Sequence, residues 1–143
     1  MCAPRHSKRA WWDPQMYTHA AFVPGVCIAL CREQPMLELV LLQSIVCTMS
    51  LWYHRNYEFE CAMAQVEHMF AEMLFAYGAA QTLLSPSMLC LLANLACACV
   101  TTTVFVATHD DKALWEQWHA VGLHVVSGIW STVIASYHEP IAF

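Results

Sequence analysis

Three stretches of an otherwise apolar sequence carry ionisable side chains at helical spacing. Ser50 and His54 stand four apart at the end of an apolar run, so on a helix they share one face. Glu67, His68 and Glu72 follow, with His68 and Glu72 again four apart. Glu116, His119 and His124 make the third group. On a regular α-helix His119 and His124 point roughly 140° apart, so they are not expected to face one point. Three imidazoles from three segments, His54, His68 and His119, match the donor set of a catalytic Zn²⁺ with an open fourth position. Such an ion lowers the pKa of its water to about 7, and Glu72 is the carboxylate placed to take the proton, with Ser50 alongside. Two other readings use the same residues. His68–Glu72 can be a buried charge-assisted pair within a structural polar cluster, or one or two histidines can ligate a haem or chlorophyll facing a planar cavity. His6, His19, His109 and His138 are expected in loops or at the interface.

The segments that must position these groups follow from composition. The chain has 143 residues, 59% hydrophobic and only 12% charged, where a soluble domain runs about 45–50% apolar and roughly 25% charged. From Met73 to Thr108 there is no Asp, Glu, Lys, Arg or His. That run is long enough for two passes through a hydrocarbon core about 30 Å thick. Disorder, a coiled coil and a nucleic-acid binder are excluded, the last because a net charge of −5, with six Lys and Arg against eleven Asp and Glu, offers no footprint for a phosphate backbone. The expected fold is all-α, a single polytopic transmembrane bundle of five helices at about 15–31, 36–54, 61–84, 88–108 and 113–137, after a basic tail at 1–12. Pro24-Gly25 should kink the first helix. Arg32-Glu33-Gln34-Pro35, the polar link 54–60, Ser85-Pro86-Ser87 and His109-Asp110-Asp111-Lys112 supply the turns. Links this short make neighbouring helices antiparallel.

With five passes, Arg5, Lys8, Arg9, Arg55 and Lys112 fall on one side and Arg32 on the other, so the N-terminus is expected on the cytosolic, matrix or stromal face. Trp11, Trp12, Trp52, Trp115 and Trp118 lie near segment ends, as in an interfacial aromatic belt. Ala93/Cys97 and Ser127/Ser131/Ala135 are small-residue stripes suited to close helix packing. The eight cysteines lie mostly within apolar runs and are read as packing residues. Arg5, Lys8 and Arg9 lead into Trp11-Trp12-Asp13-Pro14, so no cleavable signal peptide is expected.

The order of features resembles the seven-helix superfamily of alkaline ceramidases, adiponectin receptors and hemolysin III proteins, in its myomaker-like branch. Ala21-Phe22-Val23-Pro24 with Ile28-Ala29 is similar to the first helix of that branch. Ser50-x3-His54 is similar to the superfamily's Ser-x3-His motif, Glu72 with Tyr77-Gly78-Ala79 to its third helix, and Glu116-Gln117-Trp118-His119 to its last helix. The resemblance implies a zinc site built from the second-helix His and two last-helix His, with a Ser and a third-helix Asp nearby, in hydrolases of lipid amides or esters. Ser50, His54 and His119 match that pattern. Trp115 stands where the first His of the last-helix His-x3-His belongs, the third helix has no Asp, and about two helices before the last are lacking. His68 is the residue available to replace the lost ligand.

These readings lead to a small non-catalytic accessory subunit of a larger membrane complex, in an energy-converting organelle membrane such as the mitochondrial inner or thylakoid membrane. Its partners would be other membrane subunits and lipids, not nucleic acid. The N-terminal tail, with half of the chain's Lys and Arg, would meet a neighbouring protein or lipid headgroups. The alternatives are a zinc-dependent lipid hydrolase, with Ser50 and Glu72 catalytic, and a pigment- or haem-binding subunit.

Overall fold

The computed structural model describes residues 7–57, 62–108 and 111–140, and every element among them is helical. Five helices follow one another. Helix α1 covers 14–31 in three pieces, Pro14–Tyr17, a 3₁₀ turn Thr18–Phe22, and Val23–Cys31. Helix α2 is Leu37–Asn56, α3 is Ala62–Leu83 and α4 is Met88–Thr108. Helix α5 covers 112–137: an α-helical start at Lys112–Trp118, a π-helical stretch His119–Val125, and an α-helical end Val126–Tyr137. The segments α2, α4 and Ala113–Tyr137 of α5 are long and apolar enough to cross a membrane. The chain is a multi-pass membrane protein.

Local chemistry explains the breaks. The Asp13 carboxylate caps α1 by accepting from the Gln15 N–H at 2.9 Å, and Pro14 takes the first helical position, where its missing N–H costs nothing. Pro24 has no N–H to donate to Ala20, and the helix runs through the tighter 3₁₀ turn just before it. This is the break expected at Pro24-Gly25, and it turns Thr18 and His19 inward; both are buried. The 32–36 turn is closed by the Met36 N–H donating to the Ala29 carbonyl at 3.0 Å.

Neighbouring helices pack in sequence order, and α5 closes the ring against α1. That closure depends on two glycines. A Cβ on Gly25 would lie 3.2 Å from the Ser131 and Thr132 backbone, and one on Gly128 would lie 2.5 Å from the Ala21 carbonyl oxygen. The two backbones therefore touch, as small residues permit in membranes, and the 3₁₀ turn of α1 is pressed onto the π-helical part of α5. Phe22, Leu39, Val46, Leu74, Trp130 and Ile134 form the apolar core between the helices.

At the Arg32 end a buried polar network ties the chain together. The Arg32 guanidinium donates to the Ala135 carbonyl at 2.8 Å. Tyr77 donates to Glu38 at 3.0 Å, and Gln81 donates to the Tyr77 hydroxyl at 2.9 Å. His138 bridges Gln81 Oε1 and Asn94 Nδ2 at 3.1 and 2.9 Å, with Cys90 Sγ at 3.2 Å. His138 thus follows the last helix, as expected, yet it is buried. At the opposite end Arg9 is held within the chain, 2.8 Å from Asp13, and Arg55 donates to the Arg9 carbonyl while stacking 4.1 Å over Trp11. Residues 1–6 of the basic tail, with His6, and His109 lie outside the described residues.

Candidate metal centre

Three imidazoles meet inside the ring of helices. His54 Nε2 and His119 Nε2 face each other at 3.1 Å, and one ring nitrogen each from His54, His119 and His124 lies within 4.8 Å of the others. All three are buried. Their ring centroids are 4.8, 5.6 and 4.6 Å apart pairwise. Three imidazoles on one tetrahedral ion with Zn–N bonds near 2.0–2.1 Å would hold nitrogens about 3.3 Å and centroids about 5 Å apart. Two ring nitrogens at 3.1 Å need a proton or a cation between them, because two lone pairs repel.

His124 joins this group because of the helix it sits on. In a regular α-helix it would point away from His119. Residues His119–Val125 are π-helical, and i→i+5 hydrogen bonding stacks residues five apart on one face. The sequence expectation for this pair is therefore corrected: the π-helix brings His119 and His124 together. His68 does not join them. It sits half-exposed, with Nε2 3.5 Å from Glu67 Oε2 and its ring 6.4 Å from that of Trp115. Trp115 packs 4.3 Å from the His119 ring, and it does not separate His54 from His119.

The tautomer of His124 follows from its partner. The Thr18 hydroxyl donates its single hydrogen to the Pro14 carbonyl at 2.6 Å. At 2.9 Å from His124 Nδ1 it can then only accept, so Nδ1 carries the hydrogen. The lone pair is on Nε2, which is buried and has no hydrogen-bond partner among the described residues. A ligand imidazole oriented by a hydrogen bond from its other nitrogen is the arrangement found around metals. The donor set fits Zn²⁺, and three ring nitrogens within 4.8 Å of one another suit a single ion better than a flat macrocycle.

A cavity of about 320 Å³ adjoins the imidazoles and touches all five helices. Its polar end carries His19, Ser50, Glu67, His119 and His124, and its body is walled by apolar side chains such as Leu74, Phe75, Trp130 and Ile134. Along α3 it extends from Glu67 to Gly78, about 16 Å at 1.5 Å per residue. Ser50 is buried, with Oγ beside the Glu67 carboxyl but without a well-formed hydrogen bond. Of the two α3 carboxylates, Glu67 is the buried one and Glu72 is exposed at the cavity rim. The expected inward position of Glu72 is corrected accordingly. Sequence reasoning missed Glu67 as the inner carboxylate and placed His19 in a loop or interface. The nearby Pro24 is the one sequence signal that could have turned His19 inward.

The π-helical register can be tested directly. Val121 is exposed, so deleting it should let 119–125 relax to a regular α-helix with both histidines still on one face. We expect the deletion protein to bind zinc with unchanged stoichiometry in a metal titration; loss of binding would sink the register argument. The chain matches no known family model, no curated protein and no solved structure.

Proposed function

We propose that the protein is a zinc-dependent hydrolase working within the membrane on the acyl linkage of a lipid amide or ester. The observation that supports this most is the convergence of His54, His119 and His124 beside Ser50 and Glu67 at the head of an apolar cavity. A zinc ion held there would polarise the acyl carbonyl and supply water acidic enough to react near neutral pH. The chain's own residues have separate tasks. Thr18 fixes the His124 tautomer, the apolar walls hold the acyl chain and exclude water, Glu67 accepts a proton, and Ser50 offers a hydroxyl to the developing oxyanion. Buried donors and acceptors of this kind act strongly because they are fixed in a low-dielectric site.

The resemblance to the alkaline ceramidase superfamily fits this reading better with His119 and His124 as the last-helix pair. The spacing is then His-x4-His, and the additional residue is taken up by the π-helix. Glu67 stands in for the absent third-helix Asp. The competing reading, an accessory subunit of an organelle membrane complex, expects a bundle too small to hold a substrate chamber. A cavity of about 320 Å³ weighs against it.

The deciding experiment uses the full chain in lipid nanodiscs, stripped with a chelator and reloaded with zinc. It should bind one zinc and release fatty acid from members of a panel of acyl amides and esters. Release should stop on chelation and return with zinc. Zinc binding without release would leave a structural metal in a membrane subunit, and absence of both would overturn the proposal.

A further inference from the structure

His19 is a fourth imidazole at this site, and its geometry differs from that of the other three. Its Nδ1 lies 3.1 Å from the Met16 carbonyl oxygen. A carbonyl only accepts, so Nδ1 carries the hydrogen and Nε2 holds the lone pair. That Nε2 is buried and has no hydrogen-bond partner among the described residues. The ring lines the cavity, 3.9 Å from the His124 ring and 6.1 Å from that of His54. It lies outside the group of three whose nitrogens converge, so it is not placed to bind the same ion.

Buried acceptors are normally satisfied, and one left open toward a cavity marks where a donor belongs. Of the other unpaired polar atoms on the cavity wall, Ser50 Oγ, Thr101 Oγ1 and Trp130 Nε1 are able to donate, while His119 Nδ1 and His124 Nε2 belong to the imidazoles grouped around the metal position. His19 Nε2 can only accept. We propose that His19 is a specificity residue whose Nε2 accepts a hydrogen bond from an N–H or O–H that the lipid carries beside its acyl carbonyl, so that the cavity takes acyl amides in preference to plain esters. This rests on reading the cavity as an acyl-lipid site, but not on the metal. A site built to pair with a substrate N–H discriminates against the analogue lacking it because the buried group is then left unpaired.

The test uses the full chain in detergent, stripped of metal so that neither probe is hydrolysed. The probes are N-propyl ω-bromododecanamide and its isostere propyl ω-bromododecanoate, which differ at the linking N–H. Binding is read from quenching of tryptophan fluorescence, since Trp115 and Trp130 line the cavity. The amide should bind at least about tenfold more tightly than the ester. His19→Leu should erase that preference by weakening the amide alone, and His19→Gln, which keeps an acceptor, should restore part of it. Equal binding of the two probes by the natural protein overturns the proposal even if His19→Leu does not fold, as does a preference that survives in His19→Leu. Because no metal is present, failure here is separate from failure of the zinc reading.

Discussion

His124→Ala should abolish stoichiometric zinc binding, while His68→Ala should leave it intact. The two substitutions remove the same chemistry from different places. His124 contributes one of three converging nitrogens, and a site reduced to two imidazoles loses the geometry that makes an all-protein zinc site strong. His68 contributes its ring to the cavity rim and faces Glu67 at 3.5 Å. An intermediate case tests the mechanism of orientation. Thr18→Val removes the acceptor that holds the hydrogen on His124 Nδ1, and loss of such an outer partner typically costs about 10–100-fold in metal affinity. The expected order of affinity is therefore natural protein and His68→Ala together, then Thr18→Val, then His124→Ala with no measurable site. Competition against a chromophoric chelator measures all four. Zinc binding lost in His68→Ala and kept in His124→Ala would mean that the π-helix does not hold the ligand pair.

The contrast between His68 and His124 shows where the sequence was legible. The helix limits were, because they depend on local signals. The expected segments 36–54, 61–84 and 88–108 compare with Leu37–Asn56, Ala62–Leu83 and Met88–Thr108. Prolines, charges and serines in the turns are enough to place those ends. His54, His119 and Ser50, all buried, were also legible, since polar and ionisable groups in a membrane segment face inward at lower cost. The rotation of α3 was not. Met63, Phe70, Leu74 and Phe75 surround its polar residues on more than one side, so a lipid-facing side and a core-facing side look alike, and Glu67 and Glu72 could not be ranked. The π-helix was invisible for a different reason. A seven-residue departure from the α-helical ladder leaves the apolar pattern on both flanks intact, and only the 119/124 spacing carries its trace. The inward turn of His19 depended on Pro24 and on backbone contact between α1 and α5 through Gly25 and Gly128, a non-local fit that no window of sequence contains.

If the protein is the hydrolase we propose, its base is the buried Glu67 rather than the exposed Glu72, and Glu67→Gln should lower lipid hydrolysis by about 10²–10⁴-fold, the usual range for a general base. Zinc stoichiometry should be unchanged, since Glu67 is not among the converging ligands. Glutamine keeps the size and hydrogen-bonding shape of the side chain, so the packing around this buried position and the contact with Ser50 should survive. Glu72→Gln alters an exposed group at the rim and should change turnover only a few-fold, within the range of a residue that shapes access. Loss of an interaction made only in the transition state lowers kcat and kcat/KM together, whereas loss of uniform binding raises KM alone. Glu67→Gln should show the first pattern and Glu72→Gln, if anything, the second. The reverse assignment, a large fall in kcat with Glu72→Gln and little change with Glu67→Gln, would move the base to the rim and leave the buried carboxylate as a structural partner of Ser50 and His68.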